Sequence, residues 1–212
     1  MKLLLAPYAE QAPTWPTSGK HLMAQYDAST LVVYQAYNRT IADFAVRNGH
    51  FGEGFSFSRM SWVKPNFLWM MYRCGWCRKD ANQERVLALW LHRSYFDGLL
   101  VRAVASTRPA SNLGSEEAWK RELHSSDVRL QWDPDHDPAG RPLERRAIQL
   151  GLRGEALEGF RGAGIVAIED ITDFVVAQRS SALEHRWNEL VVPMERPYEV
   201  VAPEARLRLG LA

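Results

Sequence analysis

Apolar positions along this chain switch between two spacings. Leu31 to Tyr37 (LVVYQAY) is rich in β-branched and aromatic residues and predicts a strand. Residues 39–48 place Ile41, Phe44, Ala45 and Val46 near helical spacing, and Asn48-Gly49 closes the predicted helix. A loop at 50–56 leads to an extended piece over 57–63. Pro65 suits a first helical turn, residues 67–72 are apolar on every side, and Gly75 offers a stop. A helix apolar all round is a buried one.

Val86 to Phe96 (VLALWLHRSYF) predicts a strand on which Ala88, Trp90, His92 and Ser94 share a face. Residues 106–114 read as a loop, and 116–123 as a short helix capped by Ser115. Val128 to Asp133 (VRLQWD) alternates as a strand does, and Asp-Pro-Asp-His-Asp-Pro at 133–138 predicts a turn. Residues 147–152 predict a strand, 154–160 a short helix, 165–171 a strand or helix start, and 172–187 a C-terminal helix. The architecture expected is α+β: one compact domain with a mixed or antiparallel central sheet, a buried helix at about 65–73 and a C-terminal helix. Residues 1–30 read as an irregular arm, 31–187 as the core, and 188–212 as an extended tail carrying Pro193, Pro197 and Pro203.

Composition narrows the function. The 26 Lys+Arg balance 25 Asp+Glu for a net charge of +1, which excludes a polybasic nucleic-acid arm and a disordered tail. The 8 Trp, 7 Tyr and 8 Phe are the unusual component. The opening MKLLLAP is too short in apolar residues for a secretory segment, which needs about 7–15. No run approaches the ~20 apolar residues of a membrane span. Two cysteines make no disulfide framework. These features point to a cytoplasmic protein.

Candidate chemistry concentrates between residues 35 and 73, where Gln35, Tyr37, Arg59, Ser61, Trp62, Lys64, Trp69, Tyr72 and Arg73 interleave polar groups with rings. Rings stack on a base, while guanidinium and ammonium groups pair with phosphate oxygens. On a strand, Arg59 and Ser61 face one way while Trp62 and Lys64 face the other. The competing reading is a tryptophan core covered by Arg and Lys stems. His92, beside Arg93 in an apolar run, and Gln149, near Arg145 and Arg146, are further ligand-binding candidates. Asp133, Asp135, Asp137 and Glu144 have calcium-loop spacing, but Pro138 stands where the loop requires Gly, so turn chemistry is expected and no metal site. Asp133 stays a candidate if its strand end opens on a cleft. Cys74-Gly75-Trp76-Cys77 follows a helix, at the negative end of its dipole, which disfavours a thiolate and predicts structural cysteines. Phosphate-loop, nucleophile-elbow and dinucleotide-binding signatures are missing.

The strings Tyr34 to Asn38 (YQAYN), Arg59 to Pro65 (RMSWVKP) and Phe67 to Arg73 (FLWMMYR) resemble a bacterial and fungal family, domain-of-unknown-function 4291. Gln131 to Pro134 (QWDP) and Ile148 to Arg153 (IQLGLR) resemble its later motifs, with Ser61 and Asn66 as small departures. The resemblance implies a small single-domain protein and assigns no activity. At the looser level of fold analogy, the α+β order and the Arg, Tyr, Gln and Trp content are similar to NAD-consuming ADP-ribosyl transferases. That analogy forces Arg59, Ser61 and Glu169 into the catalytic roles.

The leading expectation is therefore a transferase acting on a nucleotide-containing small molecule, with NAD as the candidate cofactor. The alternatives are an RNA or single-stranded DNA binding module, and a noncatalytic interaction protein.

Overall fold

A computed structural model describes residues 1–108 and 115–211. The chain opens with β1 (Leu5–Pro7), α1 (Tyr8–Gln11), β2 (Gly19–Lys20) and β3 (Met23–Ala24). It continues through β4 (Thr30–Tyr37), α2 (Arg39–Asn48), β5 (Ser61–Val63), α3 (Phe67–Cys74), β6 (Arg85–His92) and α4 (Arg93–Arg102). Next come β7 (Val104–Ala105), α5 (Glu116–Ser125), β8 (Val128–His136), β9 (Pro142–Leu152) and α6 (Gly154–Glu158). The last elements are β10 (Ile165–Asp170), α7 (Thr172–Leu183), β11 (Val191–Pro193), β12 (Arg196–Pro197) and α8 (Pro203–Leu209).

The α+β class is as expected, but its strands divide between two principal sheets. One is three-stranded and antiparallel, in the order β10-β6-β4. The other is five-stranded and mixed, built on the β8–β9 hairpin. There β7 runs parallel to β8, while β2 and β5 pair with successive stretches of β9. A two-way backbone bridge couples the sheets: Tyr34 N–H donates to the Lys64 carbonyl at 2.7 Å, and Lys64 N–H to the Tyr34 carbonyl at 3.3 Å.

Strand alternation decides what each face buries. Val33, Leu87, Leu89 and Leu91 pack with Val63, Leu130, Ile148, Leu150 and Leu152 in the core between the sheets. The other face of the three-stranded sheet, with Val32, Tyr34, Val86 and Ala88, packs against Phe67, Met70 and Met71 of α3 and Val175 of α7. The outer face of the five-stranded sheet carries polar side chains, and the candidate site lies there.

The expected helix and strand stops hold where local chemistry sets them. Ser115 caps α5 through Ala118 N–H, and Gly49 and Gly75 end α2 and α3 with φ of 72° and 58°, while α2 has in addition a cap that was not expected, Asn38 accepting from Ile41 N–H. Four expectations need correction. The strand expected through Phe96 stops at His92, and the chain turns into α4, whose buried Phe96, Leu99 and Leu100 have helical spacing. The turn expected at 133–138 is strand as far as His136, with a register irregularity at Pro134 absorbing the proline. The N-terminal arm is ordered by pairing with the C-terminal segment, β1 with β11 and β3 with β12. The tail contains α8, since Pro203 is preorganised for a first helical turn and buries Ala205 and Leu209 one turn apart. Of the loop expected at 106–114, residues 109–114 lie outside the described residues. No described helix is long and apolar enough to cross a membrane.

Candidate functional site

The site grows out of β5 and the helix that follows it. Asn66 caps α3 by accepting from Trp69 N–H at 2.7 Å. The buried Glu195 carboxylate also closes that end, accepting from Phe67 N–H at 2.6 Å and Asn66 Nδ2 at 3.1 Å. Burial pushes Glu195 well above the usual carboxylate range. These bonds fix the line Lys64-Pro65-Asn66-Phe67 and so the position of the Lys64 amine relative to Trp69.

On the five-stranded sheet, cross-strand pairing puts Trp62 beside Gly151, Gly151 beside Arg129, Gln149 beside Gln131, and Ala147 beside Asp133. All these side chains stand on the outer face, since residues directly opposite share a face. Gln131 Nε2 donates to Asp133 Oδ1 at 2.9 Å and Gln149 Nε2 to Asp133 Oδ2 at 2.8 Å. Each carboxylate oxygen is thus held by one amide. At Gly151 an added Cβ would lie 2.7 Å from Met60 Sδ and 3.0 Å from the Trp62 ring, so the two side chains lie directly over bare backbone.

Lys64 is 5% exposed. Its Nζ lies 5.4 Å from the Trp69 ring centroid and makes one long hydrogen bond, 3.4 Å, to the Trp62 carbonyl. Burial first, and the Arg73 charge second, bring its pKa down to about 7, while Asp133 pulls the other way. Arg73, one turn after Trp69, is exposed and bonds no described residue. Arg129 likewise bonds no described residue, and its Nε is buried without a partner.

Ser61 points the opposite way from Trp62, into the interior. Its Oγ accepts from Gln35 Nε2 at 2.8 Å and lies 3.0 Å from Tyr37 Oη. Gln35 Nε2 also donates to the Trp62 carbonyl, at 3.2 Å. The same carbonyl therefore accepts from Gln35 on one side and Lys64 on the other. The three interior groups act as a clamp behind β5, on the side opposite the outer face.

The structure thus brings Trp62, Lys64, Trp69, Arg73, Asp133 and Gln149 together on the outer face, with Gln35, Tyr37 and Ser61 behind them. Arg59 lies exposed ahead of β5, bonded to no described residue. Tyr72 is 47% exposed, and one face of its ring is stacked on His136 at a centroid distance of 3.5 Å. Two candidates lie elsewhere. His92 is exposed at the far end of β6, opposite Thr30 and five residues along β4 from Gln35, roughly 16 Å at strand rise. Glu169 sits on edge strand β10, opposite Ala88, two strands from β4 and on the face of Tyr34, which Ser61 does not share. It therefore does not meet Arg59 and Ser61.

Arg129 and Gln131 were missed by sequence reasoning. The alternation of VRLQWD already placed them on the face of Asp133, but their functional reading needed the β9 register. The other aspartates of that segment are occupied structurally. Asp135, fully buried, takes Arg145 Nε at 2.8 Å and Nη2 at 2.5 Å, and Asp137 ties the hairpin turn through Ala139 and Arg141 N–H.

The cysteines depart from expectation in their electrostatics. Cys74 does end α3, yet its pKa is drawn down, chiefly by a hydrogen bond with the Cys77 thiol and further by the Cys77 and Trp76 amides. Cys77 is pushed up, first by that same contact and then by burial.

No curated protein matches the chain. A family model, domain of unknown function DUF4291, matches residues 21–198, a span that includes every group of the outer-face cluster and of the clamp behind it. The chain belongs to the DUF4291 family.

Proposed function

We propose that this protein is a transferase acting on a nucleotide-type ligand bound on the outer face of the five-stranded sheet. The observation that carries this reading is Lys64: a nearly buried amine with one long hydrogen bond, facing a carboxylate that two glutamine amides hold in place. Fold stability does not call for such an amine, because burying a charge without full pairing is costly. An amine titrating near neutrality suits proton transfer. Trp62 supplies a planar stacking surface beside it, and Arg129 and Arg73 supply guanidinium groups free for oxyanions.

In this reading the arginines hold the phosphates and Trp62 stacks on a ring. Asp133 stabilises positive charge developing at the sugar carbon. The bond from that carbon to its leaving group breaks, an acceptor hydroxyl forms the new bond, and its proton passes to the Lys64 amine. NAD-type dinucleotides fit these requirements.

A thermal-shift series with NAD, ADP-ribose, ATP, GTP and a short single-stranded RNA, at low and high salt, tests the reading. A stabilisation by one nucleotide that survives salt and disappears in Arg129→Ala and Trp62→Ala is the expected result. A shift with RNA alone, lost at high salt, indicates a nucleic-acid binder instead. No shift with any of them makes the cluster architectural and overturns the proposal.

A further inference from the structure

We propose that the cavity between α4, α5, β7, β8 and α8 is a second ligand site, which takes a small monocarboxylate with an apolar body. The sheet itself opens it. β7 pairs with only two residues of β8, Val104 with Arg129 and Ala105 with Leu130, while β8 runs on to His136. Beyond Leu130 no described strand covers that edge, and the space between it and α8 is a cavity of about 820 Å³. Sites for drug-sized ligands enclose roughly 300–1,000 Å³.

The walls are apolar where a ligand body would lie. Val101, Val104, Leu130, Trp132 and Leu207 line the cavity. Two of them also face solvent, Val101 at 37% and Leu207 at 77% exposure. Apolar surface gathered around an open hollow marks a ligand site, since an apolar body entering it removes that surface from water.

Charge decides which ligand fits. Of the cationic residues at the cavity, Arg208 is paired with Glu122, and Arg108 lies in the field of Glu116 and Glu117 on α5. Lys20 has no such carboxylate. Its amine makes no hydrogen bond or ion pair with a described residue and lies 5.9 Å from the Trp132 ring centroid. It rests against Gly210, where an added Cβ would come within 2.9 Å of the amine. Trp132 is itself fixed, donating its Nε1–H to the Leu209 carbonyl at 3.0 Å. A seated cation without a counter-ion calls for a carboxylate on the ligand. Glu204 stands at the opposite end, six residues before Gly210 along α8, or about 9 Å at helical rise. It repels a second carboxylate there, so the ligand carries one. This site stands apart from the nucleotide proposal, and among the described residues only Gln131 borders both.

The experiment titrates the full-length protein with decanoate, 1-decanol and decanedioate below micelle formation, reading heat by calorimetry and stability by thermal shift. Saturable decanoate binding at one site, at least about tenfold tighter than either analogue, is the expected result. Lys20→Gln brings decanoate down to the affinity of decanol and leaves decanol unchanged. Val101→Trp fills the mouth and removes binding of both. Both positions are exposed, and circular dichroism verifies the fold of each variant. Equal binding of decanoate and decanol by wild-type protein, decanoate binding that survives Val101→Trp, or no saturable binding overturns the proposal. Neither substitution touches the Lys64 cluster, so the nucleotide series separates failure of this proposal from failure of that one.

Discussion

Replacing Lys64 by methionine keeps the length of the side chain and removes its charge, and the stability change it produces can be worked from the structure. Burial moves the lysine from 10.5 in an exposed setting to about 7 in the fold. At 1.36 kcal/mol per unit, holding the charged form inside costs the folded state about 5 kcal/mol. The sign follows from proton binding. Between pH 7 and 10.5 the unfolded chain keeps a proton that the folded protein has released, so stability rises with pH across that window. Below pH 7 both states are protonated and the full penalty applies. Methionine at 64 escapes it, so Lys64→Met is more stable than wild type at pH 6, and the gap closes by about 3 kcal/mol on going to pH 9. Urea unfolding followed by tryptophan fluorescence at pH 6, 7.5 and 9 measures the gap directly. Groups common to both proteins cancel in the difference. Parallel curves across this range refute the reasoning, because they place the amine in water or in a full ion pair.

Three further outcomes follow from the geometry. Gly151→Val forces a side chain into Met60 Sδ and the Trp62 ring, 2.7 and 3.0 Å from the first added carbon, costing roughly 1–3 kcal/mol in urea unfolding and abolishing any nucleotide-induced thermal shift. Asp135→Asn strips the charge partner from Arg145, itself 4% exposed, and lowers unfolding free energy by about 3–5 kcal/mol; a loss below 1 kcal/mol would show that water reaches the guanidinium. Glu195 has a folded pKa above its unfolded value, so its contribution is fully present below about pH 4.5 and is lost as pH rises through the folded value. Glu195→Gln removes that dependence, and its stability relative to wild type increases from pH 5 to pH 8 in paired urea melts.

The elements whose causes are local were readable from the residues themselves. Ser115, Gly49 and Gly75 bound helices by chemistry within one turn, and the apolar block at 67–72 reads as a buried helix. That neighbouring side chains of β5 face opposite ways also followed from strand period alone, while the structure turns Ser61 and Val63 inward and Trp62 and Lys64 outward. Pairing across long separations was not readable. Gln131, Asp133 and Gln149 meet through the β8–β9 register, and the terminal segments are ordered by strands more than 170 residues away. Register likewise separated Glu169 and His92 from the cluster, since a residue type reveals its chemistry but not its neighbours. Composition and spacing determined that aromatic and basic side chains crowd residues 35–73. Tertiary structure decided which of them sit behind β5 and which stand on an open polar sheet, because burial is settled only when another element covers a face.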